Sequence, residues 1–442
     1  MTAKFTLVGS GLAGGLLAAY FGRRGYEVDL YERRADPRAG NFVGGRSINL
    51  ALSARGIHAL AQLGIADEVL QHAIPMRGRM IHDKAGELHF APYDVDPSKC
   101  INSIGRAALN TTVIEAAQRY PNVRVHFNHR CTGVDLERPT ARFVKTETDQ
   151  IIESRGDAVI GVDGAFSAVR SSLQKKLDHF KYDESYLAHG YKELTIPPAG
   201  DGSWVMEKHA LHIWPRKSFM MIALPNPDGS FTCTLFWEFK GPRSFESTTT
   251  DEDVRRFFGE EFPDSVPLMP TLLDDYRENP TGSLVTIRCA PWSYKDKVAL
   301  VGDAAHAVVP FYGQGMNAAF EDCVALDECL AEFPDNREHA FASYFSRRKE
   351  NADTLADLAI DNFIEMRDKT ASSTFRAKKK LDHWLEGLLP HTYLPLYTMI
   401  SFTRIPYAAA ARRARCQERI VYSIFIAIAL GAIAVALRFI AR

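Results

Sequence analysis

The sequence predicts an α/β fold, in which a Rossmann-like domain carries an inserted antiparallel sheet, a helical C-terminal region and a hydrophobic tail helix. A GxGxxG motif lies between two short apolar runs near the N-terminus, a pattern typical of a strand–turn–helix–strand unit. Aromatic-rich runs of alternating polarity occupy the middle of the chain and favour an antiparallel sheet. Glycine-rich turns of the first kind recur after this region, so we expect the chain to return to the first domain before it ends.

Composition and charge argue against several classes of function. The 442 residues suffice for two intertwined domains. Lys and Arg total 53 against 54 Asp and Glu, and the resulting net charge of −1 gives no support to nucleic-acid binding. The seven cysteines are scattered, without a CxxC pair or a histidine at ligand spacing. We therefore expect a reducing compartment, no disulfide framework and no metal site.

The first motif, FTLVGSGLAGGLLAAYFGRRGYEVDLYE, spans residues 5–32 and predicts strand, tight turn, helix and strand. Gly9 permits the turn, Gly11 lets a pyrophosphate approach the backbone, and Gly14 lets the helix pack on the strand. Glu32 ends the second strand and is placed to accept hydrogen bonds from ribose hydroxyls. The pattern predicts a dinucleotide site and suits FAD and NAD equally; the alternative is a glycine-rich turn without a ligand.

Two later motifs decide between these dinucleotides. In AVIGVDGAFSAVRSSL, Asp163 follows a buried strand; taken alone, this motif favours a structural role. In VGDAAHAVVPFYGQGMNAAFEDC, Asp303 stands at the carboxyl end of a strand, where ligands bind in open α/β sheets. The glycines at 313 and 315 begin a helix whose N–H groups would stabilise negative charge on a reduced flavin. Together the three motifs predict one FAD site.

The rest of the chain is assigned by pattern. Runs between residues 182 and 239, two of them joined by PNPDGS, predict an antiparallel sheet with one face over the site. The predicted parts are 1–180, first part of the FAD-binding domain; 181–285, the sheet; 286–340, second part of the FAD-binding domain; 341–418, the helical region; and 419–442, the tail.

The tail predicts membrane association. Residues 420–437, IVYSIFIAIALGAIAVAL, contain no charge, and as a helix this run would be about 27 Å long. Arg419 and Arg438 bracket it, and further arginines precede it. Because basic residues favour the cytoplasmic side, we expect a C-terminal anchor with the catalytic part facing the cytoplasm. The alternative is a buried C-terminal helix.

The three glycine motifs resemble those of the single-component aromatic flavin hydroxylases of the para-hydroxybenzoate hydroxylase type. Six further segments resemble the kynurenine 3-monooxygenase family, and the resemblance runs from Phe5 to about Gln417. They are RSINLALS (46–53), MRGRMIH (76–82), HGYKEL (189–194), ALHIWP (210–215), VVPFYGQGMNAAFED (308–322) and FTRIPYA (402–408).

This resemblance implies that L-kynurenine is hydroxylated at C3 to 3-hydroxykynurenine, in tryptophan catabolism, with bound FAD, transient NADPH and O₂. A flavin C4a-hydroperoxide would transfer the oxygen, and no side chain would act as acid or base. The implied FAD contacts are Gly9, Gly11, Leu12, Ala13, Gly14, Glu32, Arg33, Arg46, Leu50, Arg106, Asp303, Gly315, Met316 and Asn317. The implied substrate contacts, which include the segment 76–98, are Arg79, Tyr93, Phe311, Asn362 and Tyr407.

Two choices depend on this resemblance or on local chemistry. Arg77 and Arg79 would share one face of a strand, so the residues alone leave both as partners for a substrate carboxylate; the resemblance selects Arg79. His306 lies close to Asp303 in GDAAH, and we interpret it as structural because a histidine beside a small-residue turn is commonly hydrogen-bonded locally.

Other functions remain compatible with these patterns. One is a flavin hydroxylase of a different carboxylate-bearing aromatic compound, and another is a membrane-bound flavin reductase or desaturase. A membrane-attached nucleotide-binding scaffold without turnover is the non-enzymatic alternative. NADPH has no GxGxxG motif of its own in the sequence, so we expect it to visit the flavin transiently.

Overall fold

The computed structural model describes residues 2–39, 49–94, 96–365, 381–382, 384–389 and 392–440. The strands are β1 (Lys4–Val8), β2 (Glu27–Tyr31), β3 (Asn49–Leu52), β4 (Ile74–Met76), β5 (Gly78–His82), β6 (Leu88–Pro92), β7 (Ile101–Gly105), β8 (Val123–His126), β9 (His129–Asp135), β10 (Thr140–Lys145), β11 (Ile151–Arg155), β12 (Ala158–Gly161), β13 (Lys181–Ile196), β14 (Ala210–Arg216), β15 (Phe219–Pro225), β16 (Phe231–Glu238), β17 (Gly282–Ala290), β18 (Ser293–Tyr294) and β19 (Val298–Leu300).

The helices alternate with these strands in the first part of the chain and dominate the last part. They are α1 (Leu12–Arg23), α2 (Ala54–Gln62), α3 (Ala66–Leu70), α4 (Arg106–Gln118), α5 (Ala168–Lys176), α6 (Asp251–Glu261), α7 (Leu272–Glu278), α8 (Asp303–His306), α9 (Gly315–Glu332), α10 (Arg337–Ile364), α11 (Leu396–Phe402) and α12 (Tyr407–Ile440).

The first sheet has the strand order β18-β19-β12-β1-β2-β8, and its neighbours are parallel except for β18 and β19. β1, β12 and β19 are almost continuously apolar and buried, because the sheet is covered on both faces. Phe5 of β1 packs on Phe21 of α1, whereas the opposite face contacts the small sheet β11-β10-β9, as in the stacking of Tyr31 on Phe143. The predicted strand–helix–strand unit is confirmed by the parallel pairing of β1 with β2. The carboxyl ends of β1, β12 and β19 therefore bring three separate glycine turns to one edge.

The second sheet has the order β17-β13-β16-β15-β14-β5-β6. The predicted hairpin around PNPDGS is confirmed, since β15 and β16 pair antiparallel. One pairing differs from the predicted antiparallel sheet: β14 runs parallel to β5, because β5 and β6 come from the earlier part of the chain. The second sheet thus combines strands that precede β12 in the sequence with strands that follow it.

The two faces of this second sheet pack against different neighbours. One face, which contributes Trp214 and Trp237, packs on phenylalanines of α6 and the loop after it. The other face contributes Ile213 and Phe236 and packs on Phe311 and the C-terminal helices. Strand side chains alternate between faces, so each strand contributes to both clusters. Two smaller sheets, β11-β10-β9 and β3-β7-β4, flank the first sheet.

The C-terminal helices are joined to the first sheet through one buried carboxylate. Asp322 on α9 accepts hydrogen bonds from the Gly302 N–H (3.1 Å), from His306 Nε2 (2.5 Å) and from Arg348 Nε (2.7 Å). Burial opposes ionisation of Asp322, but His306 and Arg348 together hold its pKa below the usual value. The ionised group therefore fixes α8, α9 and α10 relative to each other.

The last helix, α12, continues through the predicted tail to Ile440. Its apolar side chains at Ile420, Ile424, Ile426 and Leu430 are exposed. In the part of the chain that the structure describes, no helix is both long enough and apolar enough to cross a membrane.

Asp322→Asn should lower the thermal stability of the FAD-bound protein, because it removes the fully buried carboxylate that pairs with both Arg348 and His306 and leaves Arg348 with Glu321 as its charged partner. Loss of one partner of a buried ion pair typically costs about 3–5 kcal/mol. Asp327→Asn on the same helix is the control, since its arginine partners are 31–36% exposed and its loss should cost about 1 kcal/mol. Thermal and urea unfolding midpoints give the measurement; equal midpoints for the two variants would contradict the assignment.

Candidate functional site

A cavity of about 740 Å³ lies between the carboxyl edge of the first sheet and one face of the second. Its lining brings together residues that the sequence predicted for two different ligands. Those on the cofactor side are Gly9, Gly11, Leu12, Ala13, Glu32, Arg33, Leu50, Arg106, Asp303, Gly315 and Met316. Those on the substrate side are Arg79, Tyr93 and Phe311.

The glycines of the first turn have separable roles. A Cβ on Gly14 would lie 1.8 Å from the carbonyl oxygen of Gly9, so this glycine lets α1 pack directly against the turn and does not line the cavity. A Cβ on Gly11 would meet nothing within 4 Å, and the residue borders the cavity. Gly11 is also the N-cap of α1 and offers no side-chain cap, so the first N–H groups of the helix can serve an anion.

Glu32 lies directly after β2 and is held in a fixed orientation. Its Oε2 accepts a hydrogen bond from the Ser10 N–H at 2.9 Å, and its Oε1 accepts one from the Arg34 N–H at 3.0 Å. Each carboxylate oxygen retains a second lone pair. The side chain lines the cavity, so it is placed to accept hydrogen bonds from the hydroxyls of a ribose.

The aspartates that follow β12 and β19 act differently. Asp163 caps α5, because it accepts hydrogen bonds from the Ser167 hydroxyl at 2.5 Å and the Ala168 N–H at 2.7 Å. Asp303 is enclosed by the protein but its carboxylate is accessible from the cavity. Burial raises the pKa of Asp303, while His306 and Arg106 act in the opposite direction. Such a carboxylate favours a hydroxyl donor, which a ribityl chain provides.

The GQG turn and the start of α9 supply three residues to the cavity, the first of them Gly313, and one residue to its framework. Gly315 and Met316 line the cavity at the start of α9. The Asn317 side chain faces away: its Oδ1 accepts from the Ser53 N–H at 3.0 Å and its Nδ2 donates to the Ala51 carbonyl at 2.8 Å. Asn317 therefore joins α9 to the strand β3, and it holds the turn in position without lining the cavity.

Arg79 provides a cationic group with unused hydrogen-bonding capacity. Its guanidinium lies 5.8 Å from the ring centre of Tyr93 and 5.0 Å from that of Tyr397. Burial disfavours the charge, but Tyr397, Tyr93 and Glu365 outweigh it and raise the pKa of Arg79. Among the described residues, neither Arg79 Nε nor the Tyr93 hydroxyl has a hydrogen-bond partner, although both are buried. Unpartnered polar atoms of this kind mark a place for a ligand.

The two neighbouring arginines differ in their position relative to the cavity. Arg77 precedes β5 and is exposed, whereas Arg79 lies within the strand and borders the cavity. Strand alternation would place both on one face, but β5 begins only at Gly78, so Arg77 is not bound by that alternation.

Three other predicted site residues lie outside the cavity lining or the described chain. Asn362 donates a hydrogen bond from Nδ2 to the Phe311 carbonyl at 2.7 Å and so supports the cavity wall from behind. The Tyr407 hydroxyl donates to Gln314 Oε1 at 3.2 Å beneath the GQG turn. Arg46 lies outside the described residues.

Tyr397 is a cavity residue that the sequence analysis did not single out. It stacks on Tyr93 with ring centres 5.2 Å apart and lies 5.9 Å from Tyr312. Its segment, LPLYTMI, contains no recognisable motif, and the sequence analysis assigned it only to the predicted helical region 341–418. Tyr397 reaches the site from α11, far from Arg79 in sequence.

His306 has a role in the framework of the site. Its Nε2 pairs with Asp322, as described above, and its ring lies 5.0 Å from that of Trp292. It does not line the cavity. This geometry agrees with the structural interpretation of His306, since the histidine orients the short helix that begins with Asp303.

These groups fit FAD and an aromatic substrate with a carboxylate. The open approach at Gly11 suits a pyrophosphate, the carboxylates of Glu32 and Asp303 suit sugar hydroxyls, and the cavity continues to a buried guanidinium. An apolar wall completes it, formed by one face of the second sheet through Leu211, Met220, Ile222, Leu224 and Phe236.

Comparison with known proteins agrees with this description. A family profile described as an FAD binding domain matches residues 2–359. The kynurenine 3-monooxygenase of Myxococcus xanthus is 47% identical over 94% of this chain and 89% of its own length. That of Dictyostelium discoideum is 46% identical over 94% of this chain and 91% of its own.

A solved structure of 2-methyl-3-hydroxypyridine-5-carboxylic acid oxygenase has the same fold, with a TM-score of 0.67 at 22% identity. The match covers 86% of this chain and 96% of that one. The likeness in sequence to the two relatives extends over nearly the whole chain, well beyond the glycine turns. On these grounds, the chain belongs to the kynurenine 3-monooxygenase family of FAD-binding proteins.

Proposed function

We propose that this protein is an FAD- and NADPH-dependent monooxygenase that hydroxylates L-kynurenine at C3 with O₂. The observation that carries the proposal is the pairing of Arg79 with Tyr93. Both present buried polar atoms without a partner among the described residues, in a cavity that also borders the glycine turns. A guanidinium with free N–H donors and a phenol hydroxyl are suited to hold the carboxylate of an amino acid.

The residues that would hold FAD follow the cavity lining. The N–H groups at the start of α1, beside Gly11, would bind the pyrophosphate, Glu32 the ribose and Asp303 the ribityl chain. Gly315 and Met316 would border the ring at the N-terminus of α9. When bound, FAD supplies the activation of O₂ with electrons from NADPH.

The residues of the chain would bind and orient the substrate, and they would exclude water from the site. Arg79 and Tyr93 would fix the amino-acid end of L-kynurenine, and the aromatic ring would lie against the apolar face of the second sheet. Phe311, which stacks on Phe363 with ring centres 4.1 Å apart and contacts Phe236, makes this wall rigid. The aniline nitrogen of the substrate already activates the adjacent ring carbon, so no side chain has to remove a proton to start the reaction. An apolar wall also keeps water from the oxidising centre.

We also propose that the C-terminal tail attaches the protein to a membrane, with the remainder on the cytoplasmic side. The exposed apolar side chains of α12 after Arg419 support this, as do Arg412, Arg413 and Arg415 before them. Isolated exposed apolar residues are common, but a row of them along one helix is typical of an interaction surface.

L-Kynurenine should stimulate NADPH oxidation by the purified holoenzyme, with 3-hydroxykynurenine formed in step with NADPH consumed. NADPH loss is followed by absorbance and the product by mass. A carboxylate-bearing ring without the aniline group serves as the control and should not be hydroxylated at a comparable rate. Equal turnover of that compound would favour a hydroxylase of another aromatic acid, and turnover without hydroxylated product would indicate a reductase.

Arg79→Ala should raise the KM for L-kynurenine by about a hundredfold, because a charge-assisted contact to a carboxylate contributes roughly 3 kcal/mol. The flavin absorbance spectrum should be unchanged. Arg77→Ala is the matched control, because Arg77 is exposed and does not border the cavity. If both variants keep the wild-type KM, Arg79 does not bind the substrate.

Truncation after Gln417 should move the protein from the membrane fraction to the supernatant and leave kynurenine-stimulated NADPH oxidation measurable. The reason is that the apolar side chains after Arg419 are exposed and contribute little to the core. Fractionation of cells that express each form, followed by immunoblotting, gives the measurement. Persistence of the truncated form in washed membranes would refute the anchor, as would recovery of the full-length form in the supernatant without detergent.

A further inference from the structure

A buried arginine outside the cavity connects the start of α2 to the C-terminal helices. Arg55 is the second residue of α2 and is almost completely buried. Its Nε donates to the Ile400 carbonyl at 3.0 Å, and its Nη1 donates to Glu321 Oε1 at 2.7 Å. Its Nη2 donates to the Ile405 carbonyl. One guanidinium thus joins α2, α9, the end of α11 and the residues before α12.

The remaining partner of Arg55 is an aromatic ring. The guanidinium carbon lies 4.0 Å from the ring centre of Tyr407, the first residue of α12, and this tyrosine is also buried. A flat guanidinium can stack on an aromatic face while its edge donates hydrogen bonds in fixed directions. The orientation of Arg55 is therefore determined by partners from three other helices and from the segment between two of them.

The contact with Ile400 caps a helix. α11 spans Leu396–Phe402, and the carbonyls of its last turn have no partner within the helix. Arg55 binds that of Ile400, and the Thr403 hydroxyl donates to that of Met399 at 2.6 Å. A cation is favourable at the C-terminus of a helix, because the carbonyls there carry partial negative charge. Arg55 therefore stabilises the end of α11.

α11 carries the cavity residue Tyr397. Tyr397 lines the cavity, whereas Arg55 does not. The ring centre of Tyr397 lies 5.0 Å from the Arg79 guanidinium and 5.2 Å from the ring centre of Tyr93. At a rise of 1.5 Å per residue, Tyr397 is only about 4.5 Å along the helix axis from the capped residue Ile400. A displacement of the helix end would therefore move the tyrosine by a similar distance.

The other side of α11 is held by α12. Gln417 Nε2 donates to the Leu394 carbonyl at 2.8 Å, and Gln417 Oε1 accepts from the Leu394 N–H at 3.2 Å. This contact fixes α11 relative to α12, and the contacts of Arg55 fix both helices relative to α2. The strand that leads into α2 is β3, which contributes Leu50 and Ala51 to the cavity lining. Arg55 thus joins an element of the cofactor side to the helix of Tyr397.

We propose that Arg55 is a positioning residue for the substrate site: from α2 it caps α11 and thereby holds Tyr397 against Arg79 and Tyr93. The inference rests on the proposed function, in which Arg79 and Tyr93 bind the substrate carboxylate. Without the cap, the ring of Tyr397 would withdraw from the Arg79 guanidinium. Arg79 would then be less constrained before the substrate arrives, and more of the binding free energy would be spent on ordering it.

Arg55→Lys should raise the KM for L-kynurenine by about tenfold and change kcat much less, because the loss of buried hydrogen bonds weakens binding by about this factor. An ammonium group can still pair with Glu321, but it cannot also stack on Tyr407 and bind both carbonyls in the same geometry. Steady-state kinetics of the purified holoenzyme give both constants, and its absorbance should show that bound flavin is retained.

Lys192→Met is the matched control. Lys192 is a buried cation that donates to the carbonyls of Tyr276 at 3.0 Å and Asn279 at 2.7 Å, and it lies 4.8 Å from the ring centre of Tyr276. That tyrosine belongs to the cluster on the face of the second sheet away from the cavity. Both variants should lower the thermal unfolding midpoint, but only Arg55→Lys should raise the KM. An equal rise in both, or no rise in Arg55→Lys, would overturn the positioning role.

The effect of Arg55 on substrate binding should depend on Tyr397. In a Tyr397→Ala background, Arg55→Lys should change the KM by less than about twofold, because the side chain that Arg55 positions is already absent. Independent effects would multiply. An equal rise in KM on introducing Arg55→Lys with and without Tyr397 would therefore overturn the proposal.

Hydrogen–deuterium exchange gives a measurement that does not require the substrate. The backbone amides of residues 396–405 should exchange faster in Arg55→Lys than in the wild-type holoenzyme, and at the wild-type rate in Lys192→Met. Wild-type exchange of this segment in Arg55→Lys would overturn the capping role. Faster exchange combined with an unchanged KM in Arg79→Ala would instead contradict the proposed function and leave the cap in place.

Tyr407→Leu provides the test if Arg55→Lys does not fold. It removes the ring on which the guanidinium stacks and leaves the three hydrogen bonds of Arg55 without that support. We expect faster exchange of residues 396–405 and a rise of about threefold in the KM for L-kynurenine, since an exposed-to-buried stacking contact of a cation contributes a factor of this order. Wild-type exchange and wild-type KM in Tyr407→Leu would overturn the proposal.

Discussion

The site depends on the carboxylate of Asp322. It lies at the point where α9 passes behind the turn after β19, and it joins Gly302, His306 and Arg348 through three hydrogen bonds. Gly302 has a φ of +62°, a conformation that side chains rarely adopt, and its N–H points to the carboxylate. Asp303 follows immediately, so its direction into the cavity is fixed from behind. A buried charge thus fixes the geometry of residues that would otherwise form a mobile loop.

The two faces of the second sheet have different roles. The cavity face is mainly apolar and forms the wall against which a ring can lie; its polar lining residues are Arg79, Tyr191, Thr232, Thr234 and Ser283. The opposite face contains packed aromatic rings, with the ring centres of Trp237 and Phe257 3.8 Å apart, and a hydrogen-bonded pair of histidines, His82 and His212. Since neighbouring residues of a strand alternate between faces, forces on the outer face are transmitted to Arg79 by the backbone, without a path through the cavity.

Local sequence patterns predicted much of the fold. They also predicted those site residues that lie next to the strands that position them. The glycine turns, Glu32 and Asp303 are adjacent to the strands that position them, so spacing alone places them at one sheet edge. Other features depend on contacts between distant segments. The parallel pairing of β14 with β5 and the arrival of Tyr397 from α11 have no local signal. Asn317 and Asn362 lie in segments that resemble those of the family, but their side-chain amides donate hydrogen bonds to backbone carbonyls. A sequence pattern does not distinguish an asparagine that supports the cavity wall from one that contacts a ligand.

Neighbouring strands of the first sheet come from distant parts of the sequence, and this affects how the protein folds during its synthesis. β1 lies beside β12, and β12 beside β19, while Cys323 on α9 contacts the carbonyl of Ala13 across 310 residues of sequence. The unit that contains the first glycine turn therefore acquires the last of these packing partners, Cys323, only when nearly three-quarters of the polypeptide has been synthesised. Nascent chains of this protein must hold an apolar, unfinished strand–helix unit until then, and folding dominated by such distant contacts is slow and exposed to aggregation. The cofactor side of the cavity is therefore completed late in the synthesis and folding of each molecule.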